Sequence, residues 1–173
     1  MLVWLNGTFG AGKTTTAQEL VARLENARLF DPELVGAMLM RYLPDRWLGD
    51  FQDWTAWRSV VAATAAAVRA ETGQELVAAQ TVLREDYWRQ LREGLTEQGF
   101  EVFHVLLTAE QPALRSRIEA DDPEIIQWRL DHLATAQQAE PWMRAAADLV
   151  VDTTERDAVV ATQDILDALS RQQ

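Results

Sequence analysis

The chain has 173 residues, 48% of them hydrophobic and 25% charged, which suits one domain with a sizeable core and little room for a second. Its formal net charge of -11 argues against a general nucleic-acid binder, which needs a basic face to displace counterions from phosphate. The absence of cysteine excludes disulfides, zinc–cysteine sites and thiol catalysis, and two histidines, His104 and His132, leave little scope for a histidine-built metal centre.

In chain order the pattern alternates between strand and helix. Leu2–Asn6 reads as a short apolar strand that meets glycine at position 7, too short for a signal sequence or a membrane span, so the expected location is cytoplasmic. Lys13–Glu25 reads as a helix with Ala17, Leu20, Val21 and Leu24 on one face. A second strand, Ala27–Asp31, leads into a helix that opens at Pro32 and ends near Leu43, ahead of Pro44. Residues 44–53 look like a loop, with Asp53 a plausible N-cap for a long alanine-rich helix from Trp54 to about Thr72, closed by Gly73.

Glu75–Gln80 makes a third strand and Glu85–Gln98 a helix ending at Gly99. Phe100–Leu107 is the clearest strand, followed by a helix over Gln111–Ala120 that Asp121, Asp122 and Pro123 interrupt. Glu124–Glu140 is read as a further helix stopped at Pro141, Asp148–Asp152 as the fifth strand and Glu155–Leu169 as the closing helix. The expected fold is therefore α/β, a five-stranded parallel sheet with helices on both faces in one domain over residues 1–173. Ligands of such sheets bind beyond the carboxyl ends of the strands, which singles out the loop after strand one, Asp31, Gln80, Thr81, Thr108, Asp152 and Thr153.

The loop after strand one carries the strongest signal. Gly7-Thr8-Phe9-Gly10-Ala11-Gly12-Lys13-Thr14 satisfies G-x-x-x-x-G-K-[ST] at every fixed position. Its glycines allow the backbone to curl so that successive N–H groups face phosphate oxygens, and the helix behind it adds its positive end. The basic residues are fifteen arginines and one lysine, and that lysine, Lys13, stands where a compact ammonium can reach the β- and γ-phosphates of ATP. Thr14 is placed to ligate Mg²⁺, and Thr15 extends the nucleotide site. Guanine-reading N-K-x-D is absent, and the third strand ends in Gln80-Thr81 rather than a Walker B aspartate, which leaves the small-kinase class.

Around that loop three groups of residues are candidates. Asp31 can take the acceptor hydroxyl's proton or organise the metal, and it is equally suited to cap the helix at Pro32. Trp54, Trp57 and Arg58 share a side of one helix, within a substrate-binding segment over about residues 32–72; rings and a guanidinium suit a sugar or nucleoside, although tryptophans also simply bury themselves. A lid over about residues 115–130 supplies arginines to the phosphates, Arg117 first, then Arg115 and Arg129. Thr81 is a further substrate candidate, whereas His104 is read as core or surface filler and His132 as solvated.

Trp4-Leu5-Asn6-Gly7-Thr8-Phe9-Gly10-Ala11-Gly12-Lys13-Thr14 closely resembles the opening of the tunicamycin-resistance ATP-binding proteins. Asp31-Pro32-Glu33 with Gly36, Asp50-Phe51-Gln52 ahead of Trp57-Arg58, and Thr81-Val82 with Tyr87 resemble later segments of the same family. The resemblance implies the fold of nucleotide and shikimate kinases, similar to chloramphenicol phosphotransferases, with ATP binding and resistance to a nucleoside antibiotic by phosphorylation or by binding alone. The lid departs from the pattern in its acidic Asp121 and Asp122, and no basic C-terminal extension suggests membrane attachment. The leading expectation is a Mg²⁺- and ATP-dependent small-molecule kinase, beside an ATP-gated binding protein without turnover and a metabolic sugar-acid or nucleoside kinase.

Overall fold

A computed structural model describes residues 1–46, 49–121 and 123–171. Five strands, β1 (Leu2–Asn6), β2 (Ala27–Phe30), β3 (Glu75–Ala79), β4 (Val102–Thr108) and β5 (Leu149–Asp152), form one sheet in the order β2-β3-β1-β4-β5, every pairing parallel. The helices are α1 (Lys13–Arg23), α2 (Pro32–Tyr42), α3 (Thr55–Thr72), α4 (Glu85–Glu97), α5 (Gln111–Glu119), α6 (Ile126–Ala146) and α7 (Ala158–Ser170).

The central strand shows why the order of layers follows from sequence. Every residue of β1 is buried, with Leu2 and Trp4 facing a core shared with α3 and α4, and Val3 and Leu5 facing one shared with α1 and α7. A strand covered on both faces reads as a continuous apolar run, as this one does. Trp4 stacks on Trp88 of α4 at 5.5 Å between ring centroids. Among the described residues no helix is long and apolar enough to cross a membrane.

Three sequence expectations are corrected. Pro141 does not stop the helix before β5: α6 runs through it to Ala146, because Met143 beyond it is buried and the Trp142 indole donates to the Leu83 carbonyl at 3.3 Å. Tertiary packing outweighs the lost backbone bond there. Asp53 does not cap α3; its carboxylate accepts the Tyr87 hydroxyl at 2.7 Å, and Trp54 occupies the cap position without a side-chain bond. The stretch read as loop holds two 3₁₀ turns, Pro44–Arg46 and Phe51–Asp53. Of the acidic pair read as a helix breaker, Asp122 lies outside the described residues.

Candidate functional site

The loop between β1 and α1 is held by side-chain donors to its carbonyls. Lys13 Nζ donates to the Thr8 carbonyl at 2.8 Å, Thr81 Oγ1 to Gly7 at 2.9 Å and Arg117 Nη1 to Gly10 at 3.1 Å, while Thr153 Oγ1 lies 3.1 Å from the Ala11 carbonyl. A peptide unit points its N–H opposite to its C=O, so fixing these carbonyls fixes the direction of the loop amides, of which Ala11 N donates within the loop to the Thr8 carbonyl at 3.3 Å. Gly7 is forced by space as well as by its φ of 140°: a Cβ there would sit 2.3 Å from the Leu107 carbonyl oxygen. Ala11 is fully buried, and the Thr14 and Thr15 side chains are exposed at the first turn of α1.

One residue the sequence reading passed over sets the loop's root. The fully buried Asn6 side chain accepts from Gly7 N at 2.8 Å and Val82 N at 2.9 Å, and donates to the Val82 carbonyl at 3.1 Å. It ties the phosphate loop to the segment after β3. Only the β1–β3 pairing, invisible in one strand's sequence, brings those segments together.

Hollows open on the loop from several sides, one of them, between β4, α5 and α6, lined by Gly7 and Thr8. On the β5 side a crevice of about 240 Å³ is lined by Gly12, Thr15, Thr16, Arg117, Thr153 and Arg156. Arg117 is fastened there to Thr153 Oγ1, the Thr153 carbonyl at 2.6 Å and the Thr154 carbonyl at 3.2 Å. This revises the expectation of Arg117 as the mobile phosphate clamp, since its donors grip the loop and the β5 end. Arg115 is exposed on α5.

On the β3 side a cavity of about 520 Å³ opens between α2, the Asp50–Asp53 segment and α6. Arg129 of α6 is the lid arginine that reaches it. Phe9 of the P-loop closes one wall, edge-on to Trp128 at 5.0 Å and to His132 at 6.0 Å between ring centroids, with the Lys13 ammonium and the Arg129 guanidinium each 5.6 Å from its ring. His132 is thus corrected from a solvated residue to a half-buried ring set edge-on to Phe9; helical spacing from Trp128 was the signal that could have found it.

The charges converge on Lys13. Burial lowers its pKa to about 7; the nearby Glu33 opposes the shift and Arg129 adds to it. Glu33, half a turn into α2, is pushed up by burial, then by its neighbour Asp31, while Lys13 and Arg129 pull it down. Asp31 itself is exposed and caps α2, its Oδ1 accepting Glu33 N at 2.9 Å. Glu33, two residues beyond the carboxylate picked from sequence, lines the cavity together with Asp50 and Asp53, whereas Asp31 does not.

Trp54, Trp57 and Arg58 are revised most. Both indoles are buried in the helical layer, Trp54 Nε1 donating to the Arg46 carbonyl at 2.6 Å and Trp57 Nε1 to the Pro32 carbonyl at 3.0 Å. Arg58 is 6% exposed and engaged by protein: Nε to Gln90 at 2.7 Å, Nη1 to the Gln52 carbonyl, and Nη2 to Thr55 at 3.2 Å, with its guanidinium 4.2 Å over the Tyr87 ring. It braces the Asp50–Asp53 segment from behind. Phe51 of that segment fits because residue 36 is glycine; a Cβ there would lie 2.7 Å from the ring. Thr81 does line the cavity, although its hydroxyl is directed at the Gly7 carbonyl. His104 is a core residue, Nδ1 3.0 Å from the Ala146 carbonyl, its pKa lowered by burial to about 4 so that it stays neutral near pH 7.

The sequence matches the AAA_33 family, described as an AAA domain, over residues 2–124. No curated protein matches it. Among solved structures, the tunicamycin resistance protein of Deinococcus radiodurans is similar with a TM-score of 0.72 at 24% identity, covering 97% of this chain and 94% of that one. The shikimate kinase of Acinetobacter baumannii, solved with shikimate, gives 0.68 at 19% over 99% and 94%. The APS kinase of Mycobacterium tuberculosis, solved with AMPPNP and APS, gives 0.62 at 18% over 98% and 96%. These likenesses establish a P-loop kinase-like fold.

Proposed function

We propose that this chain, which belongs to the AAA_33 family of AAA domains, binds ATP on the loop Gly7–Thr14 and transfers its γ-phosphoryl group to a hydroxyl of a small molecule. The observation that carries this reading is the meeting of Lys13, Glu33 and Arg129 where the phosphate loop opens into a cavity large enough for a sugar or nucleoside. The triphosphate lies along the loop amides, with its base toward the crevice that Arg117 and Thr153 wall. The acceptor oxygen attacks the γ-phosphorus, the bond to the β-phosphate oxygen breaks, and the acceptor's proton passes to Glu33, with Asp31 holding the turn that presents it. Lys13 and the loop amides meet the charge that stays on ADP, and Arg129, drawn from Asp121 by the γ-phosphate, meets charge on the group in transit.

The Thr14 hydroxyl, exposed beside the loop, is a hard oxygen donor suited to Mg²⁺, which would supply charge neutralisation on the phosphates. Among the described residues no group of three or more His, Cys, Asp or Glu could hold a metal by itself, which fits an ion carried in on the nucleotide. By its likeness to the tunicamycin resistance protein, a nucleoside antibiotic is one acceptor to test. Incubation with Mg-ATP and a panel of tunicamycin, nucleosides and sugars, read by mass spectrometry, tests the reading: a product heavier by one phosphoryl group is expected. No product and no ATP consumption across the panel would refute it.

ATP-dependent sequestration without turnover is the second reading. Two observations favour it: Gln80 stands at the end of β3 where a carboxylate would assist the metal, and Arg129 is paired with Asp121. Stoichiometric retention of an unmodified ligand would establish it over transfer.

A further inference from the structure

The cavity beside Lys13 is rich in hydrogen-bond acceptors and poor in uncommitted positive charge. Glu33, Asp50 and Asp53 all line it. Of the two arginines on its wall, Arg84 is held by Asp86 through bonds of 3.0 and 2.8 Å, and Arg129 is paired with Asp121. His132 faces Asp50 across the space, with its Nδ1 2.6 Å from the Trp128 carbonyl. Arg58, the guanidinium best suited by sequence to hold a carboxylate, is spent on Gln90, Gln52 and Thr55 inside the helical layer.

An independent observation comes from Gln80. This residue is 4% exposed, lines the cavity, and donates its amide nitrogen to the Thr81 carbonyl at 3.3 Å. That bond sets which end of the amide is which, and the other end, Oε1, has no hydrogen-bond partner among the described residues. A buried acceptor without a donor is costly, and a turn of the Gln80 side chain at the cavity wall would let a ligand hydroxyl or ammonium satisfy it. Phe9, Tyr87 and Trp128 add ring faces, against which a sugar ring or a cation packs.

We propose that this cavity selects against anionic acceptors and favours a polyhydroxylated ring that carries an ammonium group, with uncharged glycosides in between. A ligand carboxylate would be desolvated beside three protein carboxylates and an orphaned amide oxygen, with no free guanidinium to receive it. An ammonium would find the same groups complementary. The inference deepens the proposed function, resting on it for the cavity's role as the acceptor site. It sets this chain apart from a sugar-acid kinase despite the shared fold.

The experiment is titration calorimetry on the full chain loaded with a non-hydrolysable ATP analogue, using methyl glucosaminide, methyl glucoside and methyl glucuronide. These probes share one ring and differ in charge. Affinity should fall in that order, by about tenfold between the first and the last. Asp50→Asn, which keeps an oxygen for the Gln52 amide, should narrow that span, and Gln80→Leu should weaken the two non-anionic probes. The melting temperature and analogue affinity of each variant report on its fold. A flat series, a reversed one, or no binding of the glucosaminide overturns the proposal. Because no turnover is required, failure of phosphoryl transfer would sink the kinase reading and leave this order intact.

Discussion

The phosphate loop and the cavity beside it meet at Phe9 yet differ in how their polar groups are satisfied. In the loop, the carbonyls of Gly7, Thr8 and Gly10 and the amide of Gly7 each have a protein partner, with Thr8 Oγ1 a buried exception. In the cavity, burial pushes the carboxyls of Glu33 and Asp50 up, and Gln80 Oε1 has no partner among the described residues. A satisfied network is preorganised and rigid, whereas an unsatisfied one awaits the groups of a ligand. The contrast sets a loop that can be read from a short motif apart from a cavity whose lining only the packed chain assembles.

The largest expected effect comes from removing the lysine of the loop. Lys13→Ala should lower turnover by about 10³-fold or abolish it, and nucleotide titration should show weakened binding; undiminished activity would refute the site. Glu33→Gln should lower turnover by about 10²-fold with nucleotide affinity little changed, whereas Asp31→Asn, which can still cap α2, should do less. The reverse ranking would return the base to Asp31.

Effects on stability sharpen the other half of the comparison. Asn6→Ala orphans the amides of Gly7 and Val82 and the Val82 carbonyl, and should cost roughly 2–4 kcal/mol in denaturant titration. Arg58→Ala should cost about 2 kcal/mol and raise the KM for the acceptor through a loosened Asp50–Asp53 segment, with Arg58→Lys a poor substitute for the planar fork. A substrate clamp, by contrast, would raise KM without a loss of stability.

The smallest effect is a proton. Burial holds Lys13 near pKa 7 without nucleotide, so at about pH 8 much of it is neutral, and a bound triphosphate should draw a proton onto it. Calorimetry in buffers of different ionisation enthalpy should register fractional uptake at that pH, and affinity should decline as pH rises past 7. Lys13→Ala should abolish the uptake. For folding of the free protein the sign is opposite: the unfolded lysine keeps its proton to about 10.5, so folding releases one and stability rises with pH between about 7 and 10.5 through this group.

Sequence alone determined the layers, the strand order's parallel character and the phosphate loop. These rest on short-range signals: the apolar run of β1, the glycines at 7, 10 and 12, and the αL closure of α3 at Gly73 with φ 67°. Even Gly36 and Phe51, noted only as parts of a resemblance, prove to be one contact. What the tertiary structure decided was the direction of long side chains. Trp54, Trp57 and Arg58 have the composition of a binding face, but α3 turns them into the layer beneath, where the indoles and guanidinium meet carbonyls 25 residues or fewer away in sequence and, for Arg58, Gln90 as well. Glu33 and His132, unremarkable in sequence, reach the cavity because α2 and α6 converge over Phe9. A helix's spacing says which residues share a face; only packing against the rest of the chain says whether that face meets protein or ligand.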